Sequence, residues 1–269
     1  MIIKDFFDAI VVRAKGCRYS SMNYLEYDDC KNAVVVRDDA DLILLRELDD
    51  GSVPVSAPAM LHFAANDFAR LIDAIAEMSG DLRLHFVPRE HAAGLAAMGF
   101  IEWGEFTDFF NTDLAATAAR LVSTTAPTAE YLVVEDSAEA AALSQRCRLQ
   151  SRGFEGETAE WFADWLKDNK VIIVRQDGVI AGFCCITIYD SGKTLWIREM
   201  AVDPLYQGRG LGKLMLEQAI MYGVQNGAVK GFLAADLLNH NAIGLYNKYD
   251  FIARNTADSE LQMIRGGTA

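Results

Sequence analysis

The sequence lacks a paired-cysteine motif, a long apolar run and an excess of positive charge. Its five cysteines form no C-x-x-C pair, and the odd count leaves at least one thiol without an intramolecular partner. The longest apolar run, Val179–Tyr189, is too short to span a bilayer. Asp5 and Asp8 interrupt the N-terminal apolar stretch, which a signal peptide would keep uncharged. These absences predict reduced, buried thiols in a cytoplasmic protein with no membrane partner.

A formal charge of −13 at pH 7 argues against a nucleic-acid partner, because such binding relies on clustered Lys and Arg that neutralise phosphates. The charge fits a cationic or neutral substrate better. Acidity that only keeps the protein soluble is the alternative explanation. Composition alone therefore leaves the substrate open.

The length of 269 residues favours two domains. The stretch LVSTTAPTAEY, residues 121–131, is rich in Thr, Ser, Ala and Pro and separates two strongly patterned regions, which is typical of a linker. A boundary near Pro127 predicts one domain over residues 1–125 and another over residues 126–269.

The first domain is predicted to be α+β. Short β-like runs are separated by acidic turns and helix-like segments. Strands are expected at 33–37, 42–45, 82–88 and 100–110, and helices at 68–78 and 89–99.

The second domain has the predicted order β-α-α-β-β-β-α-β-α-β, which makes its sheet mixed rather than doubly wound. Strands are expected at 131–134, 231–235, from 251 onward, and three times within 170–202, with helices from 136 toward 149, at 158–168, 211–227 and 242–248. Asp177-Gly178 and Ser191-Gly192 stand where two hairpins should turn. Cys184 and Cys185, adjacent in a strand, should point to opposite faces.

A glycine-rich stretch, YQGRGLGKLMLE at residues 206–217, follows a predicted strand and opens a predicted helix. Gln207, Gly210 and Gly212 have the spacing Q-x-x-G-x-G. Unsatisfied N–H groups at a helix N-terminus suit a phosphate, and glycines remove the Cβ atoms that would hold a diphosphate away. Arg209 and Lys213 add positive charge, so the stretch predicts a diphosphate site.

Other glycine motifs do not fit this stretch. The dinucleotide fingerprint needs G-x-G-x-x-G in a parallel βαβ unit, and the P-loop needs four residues between its glycines before Gly-Lys-Ser/Thr. Here Gly208, Gly210 and Gly212 give G-x-G-x-G, and Leu214 follows Lys213. A glycine turn used only for tight helix packing remains the alternative.

A second motif follows the next predicted strand. Asn239, Ala242, Leu245 and Tyr246 have the spacing N-x-x-A-x-x-L-Y. With both motifs in this order, residues 131–265 resemble the GCN5-related N-acetyltransferase (GNAT) family. The resemblance implies a central mixed sheet flanked by helices, acetyl-CoA as co-substrate without a metal, and an amine as acceptor.

The resemblance also assigns residues to coenzyme A. The glycine loop would hold its pyrophosphate, a strand edge would pair with its pantetheine arm, and the second motif would lie at its thioester end. The residues assigned by position are Met200, Ala201, Val202, Gln207, Gly208, Arg209, Gly210, Leu211, Gly212, Lys213, Asn239, Asn241 and Tyr246. One departure is Asp250-Phe251, where the family commonly has Gly-Phe. Because Asp tolerates the left-handed conformation better than most residues, we expect the turn to persist.

Acetyl transfer to an amine needs a base for the ammonium and an acid for the departing thiolate. Tyr246 is the predicted acid, with aromatic packing at helical spacing as the alternative. Glu199 is the predicted base. The alternative is that its carboxylate, on a strand face, only contacts solvent or the neighbours of Arg198. A backbone N–H near Met200 can stabilise the carbonyl oxygen. His85, Glu90 and His91 do not have the spacing of a zinc signature.

The first domain repeats a strand-helix-Gly-Phe-strand plan at residues 82–109 without a Q-x-x-G-x-G loop. It is either a degenerate acetyltransferase-like half of a tandem protein or an unrelated α+β domain, and we expect it to cover the acceptor side. Two other functions stay open, a non-catalytic acetyl-CoA-binding or sensing module and an acyltransferase that uses aminoacyl-tRNA. The sequence leaves a homodimer open and does not name the acceptor amine.

Overall fold

The computed structural model describes residues 2–23, 25, 27–48, 58–121, 129–148, 156–254 and 259–266, with only the backbone at 28 and 29. The chain divides into two compact units, residues 1–106 with 258–269, and residues 107–257. The bounds of these units differ from those of the predicted domains. The division falls at residue 106, and the C-terminal segment belongs to the first unit. Most of the predicted linker, residues 122–128 including Pro127, lies outside the described residues.

The first unit is α+β. Its helices are α1 (Lys4–Ala14), α2 (Tyr27–Cys30), α3 (Phe68–Ala76) and α4 (Ala92–Ala96), and its strands are β1 (Tyr19–Ser20), β2 (Ala33–Asp38), β3 (Leu42–Glu47), β4 (Ala59–Ala65), β5 (Leu82–Pro88), the first part of β6 (Ile101–Asn111) and β13 (Glu260–Arg265). The sheet order is β2-β3-β4-β5-β13-β6, with β1 paired to β4. The last strand of the chain therefore lies between β5 and β6.

The second unit has helices on a mixed sheet. Its helices are α5 (Leu114–Ala119), α6 (Ser137–Cys147), α7 (Ala159–Trp165), α8 (Leu211–Gln225) and α9 (His240–Lys248), and its strands are the end of β6, β7 (Glu130–Tyr131), β8 (Lys170–Gln176), β9 (Val179–Tyr189), β10 (Thr194–Val202), β11 (Lys230–Asp236) and β12 (Ile252–Ala253). The sheet order is β6-β11-β10-β9-β8-β7, with β12 paired to β6. Strands β10 and β11 are parallel, whereas β8, β9 and β10 are successive antiparallel neighbours.

The predicted order of elements in residues 130–253 is confirmed. Asp177 and Gly178, with φ of 53° and 83°, form the two-residue turn between β8 and β9. Ser191 and Gly192, with φ of 54° and 82°, lie in the longer loop between β9, which ends at Tyr189, and β10, which begins at Thr194. The predicted strand at 131–134 is shorter than expected, because the chain enters a 3₁₀ turn at Val134–Asp136. Helix α6 ends at Cys147, and residues 149–155 lie outside the described residues.

Five of the helices and strands in the described residues were not predicted from the sequence, namely α1, β1, α2, β4 and α5. Helix α5 explains why the second unit begins before the linker. Leu114 of α5 and Phe109 of β6 are 0% and 2% exposed in the same core cluster as α8. Burial of two large side chains ties residues 107–119 to the second unit.

The same strand-helix-strand arrangement occurs in both units. Strand β4 pairs in parallel with β5 over three residues, and β10 pairs in parallel with β11 over three residues. A helix joins the two strands in each case, α3 in the first unit and α8 in the second. The connections before these helices differ, because residues 66–67 precede α3 and residues 203–210 precede α8.

Candidate functional site

The second unit has an opening between two parallel strands. Strand β10 pairs with β11 only over Thr194–Trp196, but it pairs with β9 as far as Val202. From Ile197 to Val202, the β10 edge that faces away from β9 therefore has no partner strand among the described residues. Met200, Ala201 and Val202 lie on this edge, which can offer backbone N–H and C=O groups to an extended ligand.

A buried aspartate anchors the loop that follows β10. Asp203 is 5% exposed, and its carboxylate accepts the Leu205 N–H at 3.0 Å and two Arg146 N–H groups at 3.1 and 2.9 Å. Its own N–H donates to Ala181 O of β9 at 2.9 Å. These bonds fix the start of the loop. This role of Asp203 was not predicted from the sequence, although Asp-Pro at a strand end is a turn signal.

Two glycines give the loop its shape. Gly208 and Gly210 have φ of +75° and +81°, and apart from each glycine and its two chain neighbours, no atom of the described residues lies within 4 Å of the position that a Cβ would take. Gly210 precedes α8, and no side chain caps the helix there. The first N–H groups of α8 have no intrahelical partner. Unsatisfied N–H groups at a helix N-terminus suit an anion.

The charged side chains of the loop are held by local contacts. The Arg209 guanidinium lies 5.0 Å from the centre of the Tyr206 ring and donates to Leu205 O at 3.4 Å. Lys213 Nζ lies 3.8 Å from Glu217 Oε1, which also accepts the Tyr249 hydroxyl at 2.7 Å. Both cations thus lie beside the N-terminus of α8.

Gln207 contacts the strand, Leu211 contacts the core, and Gly212 lies close to both α9 and β10. Gln207 Nε2 donates to Val202 O at 3.3 Å, and Leu211 is buried in the core. A Cβ at Gly212 would lie 3.7 Å from Leu245 and 3.8 Å from Val202. The start of α8 therefore meets both α9 and β10.

The asparagines of the second motif stand at the start of α9. Asn239 Oδ1 accepts the Ala242 N–H at 3.2 Å, so this carbonyl caps the helix. Asn241 is exposed in the first turn. The structure thus places Asn239 as a structural cap and Asn241 on the surface at the same end of α9.

Tyr246 and Glu199 lie on opposite faces of the sheet. Tyr246 packs in the core cluster that contains Cys184 and α8, whereas Cys185 packs in the cluster with α6 and α7. Glu199 pairs with Cys185, and cross-strand pairs share a face. The expectation that Cys184 and Cys185 point to opposite faces is confirmed.

Tyr246 is 7% exposed, and its ring centre lies 6.2 Å from that of Phe109. Burial raises the pKa of Tyr246 above its ordinary value, and Cys184 adds to this effect. The hydroxyl therefore keeps its proton at neutral pH and can act only as a donor there.

Glu199 is buried beside two charged groups. Its Oε1 accepts from Arg198 Nη1 at 3.2 Å, and its buried Oε2 has no hydrogen-bond partner in the described part of the chain. Burial raises the pKa of Glu199 to about 8; the positive charge of Arg198 opposes this rise and the carboxyl of Glu157 adds to it. A base with a pKa near the working pH is well suited to proton transfer.

A β-bulge explains how two consecutive residues of β10 come together. The register with β9 shifts between Ile197 and Glu199, so Arg198 is the extra residue. A bulge re-aims side chains that a regular strand would send to opposite faces. From the sequence, Arg198 was named only as a neighbour of Glu199. Glu157 and the two tryptophans of α7 were missed, although the i, i+4 spacing of Trp161 and Trp165 was an available signal for the tryptophans.

The expected left-handed turn at Asp250 is confirmed, with φ of 60°. Asp250 Oδ2 accepts the Thr117 hydroxyl at 2.7 Å and pairs with Arg120. Phe251 is fully buried, and its N–H donates to Tyr246 O at 3.1 Å. Helix α5 therefore stabilises the turn that sets the end of α9.

Two further properties concern the described residues as a whole. No group of three His, Cys, Asp or Glu side chains among them is arranged to hold a metal ion. In the same ranges, no helix has both the length and the apolar character to cross a membrane.

Known proteins share this sequence pattern and fold. A Bacillus subtilis protein assigned as a ribosomal protein bS18-alanine N-acetyltransferase is 27% identical over 107 residues, 36% of this chain and 70% of that protein. Streptothricin acetyltransferase of Streptomyces lavendulae is 27% identical over 99 residues, 37% of this chain and 49% of that protein, so the match spans about half of its length.

Solved structures of low sequence identity share the fold over most of the chain. A tandem GNAT protein from the clavulanic acid biosynthesis pathway has a TM-score of 0.58 at 15% identity, covering 87% of this chain and 82% of that one. A GNAT-family acetyltransferase from Colwellia psychrerythraea has a TM-score of 0.56 at 9% identity, covering 99% of this chain and 97% of that one. The sequence itself matches the acetyltransferase (GNAT) family over residues 138–251. Residues 138–251 therefore match the GNAT family of acetyltransferases, and solved GNAT proteins share the fold of most of the chain.

Proposed function

We propose that residues 107–257 bind acetyl-CoA and transfer its acetyl group to the nitrogen of a primary amine by direct attack. The observation that carries the proposal is the uncapped, glycine-led start of α8 beside the unpaired edge of β10. A diphosphate fits the first feature, and an extended arm with amide groups fits the second. Coenzyme A contains both groups in one molecule.

The pyrophosphate would contact the N–H groups of Gly208 to Lys213, with Arg209 and Lys213 adding positive charge. The pantetheine arm would pair with the backbone of Met200, Ala201 and Val202. Gln207 would hold the loop against β10 through its bond to Val202 O. At the thioester end, Asn239, Asn241 and Tyr246 would border the ligand from α9.

Tyr246 and Glu199 would handle the two protons of the reaction. Glu199 takes a proton from the acceptor ammonium, and the free amine attacks the thioester carbon. Tyr246 gives its proton to the sulfur that leaves. A thiol has a pKa of ~8.5 and an ordinary tyrosine one of ~10, and burial raises the pKa of Tyr246 further. The transfer is therefore uphill and depends on a direct hydrogen bond to the sulfur as negative charge develops there. Their places on opposite faces of the sheet support separate roles on the two sides of the thioester.

The acceptor that fits best is a small amine or a peptide amine that carries positive charge. The net charge of −13 favours the approach of a cation, and neither nucleic acid nor a membrane is needed. All five cysteines are free thiols, which supports a cytoplasmic setting. A homodimer is compatible with this activity.

Calorimetry with acetyl-CoA and a thiol-release assay test the proposal. The assay uses polyamines, amino acids, aminoglycosides and peptides with free N-termini as acceptors. We expect micromolar binding of acetyl-CoA and release of one thiol per acetylated amine. Absence of acetyl-CoA binding would refute the proposal, and binding without thiol release from any acceptor would favour a sensing module.

We also propose that the first unit is a degenerate acetyltransferase-like half that binds no coenzyme A. Only residues 66–67 connect β4 to α3, and Asp67 caps α3 by accepting the Ala69 N–H at 2.9 Å. A capping carboxylate occupies the N-terminus where a phosphate would bind. We expect calorimetry to give one acetyl-CoA per chain, and a stoichiometry of two would contradict this assignment.

A further inference from the structure

A single guanidinium nitrogen joins two carboxyl groups in the second unit. Arg198 Nη1 donates to Glu157 Oε1 at 3.0 Å and to Glu199 Oε1 at 3.2 Å. The side chains of Glu157 and Glu199 are only 20% and 16% exposed. Two carboxyl groups this close repel each other when both are ionised, unless the cation between them stays in place.

The rings of α7 hold that cation in place. The Arg198 guanidinium lies 4.4 Å from the centre of the Trp161 ring and 5.5 Å from that of Trp165. The two tryptophan rings are stacked, 5.2 Å apart with an angle of 17° between their planes. Stacking on aromatic faces and two hydrogen bonds restrict a planar guanidinium far more than an exposed ion pair would.

We propose that Glu157 and Arg198 are positioning residues that set the proton affinity of Glu199, and that Glu199 Oε2 receives the proton of the acceptor ammonium. This inference rests on the proposed acetyl transfer. Glu199 Oε2 is buried and without a partner among the residues that the structure describes, whereas Oε1 is held by Arg198. Because Oε2 accepts no hydrogen bond from the described residues, both of its lone pairs are available for a proton.

The proton balance of the step is complete. The ammonium loses one proton to Glu199 Oε2, and its nitrogen forms a bond to the acetyl carbon as the carbon–sulfur bond breaks. The sulfur takes a proton from the Tyr246 hydroxyl and leaves as a thiol, and the second proton that the nitrogen loses as the amide forms restores that hydroxyl. One proton is released to water in each cycle, when Glu199 ionises again.

Glu157 and Arg198 should act on Glu199 in opposite directions. The negative charge of Glu157 favours the protonated form of Glu199, and the positive charge of Arg198 favours the ionised form. Among the described residues, Cys185 of β9 also faces Glu199, and its thiol stays protonated because burial raises its pKa. A residue that only supported packing would not move the titration of Glu199 in a direction set by its charge.

Titration of side-chain carboxyl groups by carbon-13 NMR tests this without any ligand. The Glu199 signal is identified by its loss in Glu199→Gln. Glu157→Gln should lower the midpoint of that signal by about one pH unit, and Arg198→Gln should raise it by about as much. Arg198→Lys, which keeps the charge, should titrate between Arg198→Gln and the wild type. Midpoints that stay within a few tenths of wild type in Glu157→Gln would overturn the proposal.

Two control variants remove equal charges elsewhere in the second unit. Glu160→Gln changes an exposed carboxylate on α7. Arg175→Gln removes a guanidinium that also bridges two carboxylates, Asp136 at 2.6 Å and Glu139 at 2.9 Å. Neither control should shift the Glu199 midpoint. If Arg198→Gln does not fold, Glu157→Gln and Arg198→Lys still decide the test. Glu157→Gln should keep the local structure, because the backbone N–H of residue 157 keeps its bond to Ser144 Oγ.

Rate measurements separate this inference from the proposed function. With the panel amine that wild-type protein acetylates fastest, the acidic limb of kcat/KM should move with the NMR midpoint in each variant. NMR midpoints that move while the acidic limb stays fixed would exclude Glu199 as proton acceptor. A wild-type protein that binds acetyl-CoA and acetylates no amine would refute the proposed function instead, while the charge effects on Glu199 would still be measured by NMR.

Discussion

Gly210 and Gly192 have nearly the same φ, +81° and +82°, and in the described part of the chain no atom beyond the adjacent residues lies within 4 Å of either Cβ position. Gly210 precedes the uncapped helix α8, whereas Gly192 closes the hairpin between β9 and β10. The pair therefore separates the backbone strain of a substitution from its effect on a ligand.

Gly210→Val should weaken acetyl-CoA binding by about 100-fold or more, about 2.7 kcal/mol, because its branched side chain enters the space left for the diphosphate. Gly192→Val should carry the same strain, of about 1–3 kcal/mol, with wild-type affinity. Calorimetry and thermal unfolding measure the two effects. Equal affinities of the two variants would end the assignment of this loop to coenzyme A.

Tyr246→Phe should lower kcat about 100-fold or more and change the KM for acetyl-CoA little, because a proton donor acts mainly in the transition state. Tyr249→Phe is the matched control. It removes a hydroxyl that donates to Glu217 at 2.7 Å from the same end of α9, and it should cost about 1 kcal/mol of stability without loss of kcat. Similar kcat values for Tyr246→Phe and wild type would exclude the acid role.

Glu199→Gln should lower the rate most at neutral pH and least at high pH, where the acceptor amine is already free. In the wild type, kcat/KM should rise as pH passes through about 8, and this limb should disappear in the variant. Stopped assays across pH measure both profiles. Superimposable profiles would show that a water chain or another group accepts the proton.

The raised pKa of Glu199 also predicts how stability depends on pH. The pKa lies at about 8 in the folded protein and at the ordinary glutamate value of 4.5 in the unfolded chain. The free energy of unfolding should therefore fall as pH rises from about 4.5 to about 8 and level off above that range. Glu199→Gln cannot ionise, so urea denaturation should show it gaining stability relative to wild type across this window, whereas Glu160→Gln should follow the wild type.

A fragment that begins at residue 128 should not fold stably, although all residues assigned to coenzyme A follow that point. It lacks Phe109 and Leu114, which are buried in the core with α8. Truncation of one such side chain to Ala already costs about 2–5 kcal/mol. A fragment of residues 107–257 should unfold cooperatively and bind acetyl-CoA. Equal melting temperatures of the two fragments would contradict the role of residues 107–119 in this core.

The sequence was sufficient to predict the order of elements in residues 130–253, because turns and helix starts there depend on local signals such as Asp177-Gly178 and the glycine loop. It also identified Glu199 as a candidate, but not its neighbours Glu157 and Arg198. Glu157 lies 41 positions before Arg198, and their contact depends on a β-bulge that leaves no mark in the composition of β10. The packing of Phe109 and Leu114 in the core of the second unit was missed for a similar reason, because a short-range sequence pattern does not show which distant core a side chain joins.

The position of β13 has a consequence for synthesis of the chain. This strand pairs with both β5 and β6 within the first unit, yet it is made after the whole of residues 107–257. During translation, the sheet of the first unit therefore lacks a strand between β5 and β6 until β13 is made. The strands of the second unit, residues 107–257, are all made before that point. Domains usually fold in the order in which they are translated, and here the order of completion is reversed.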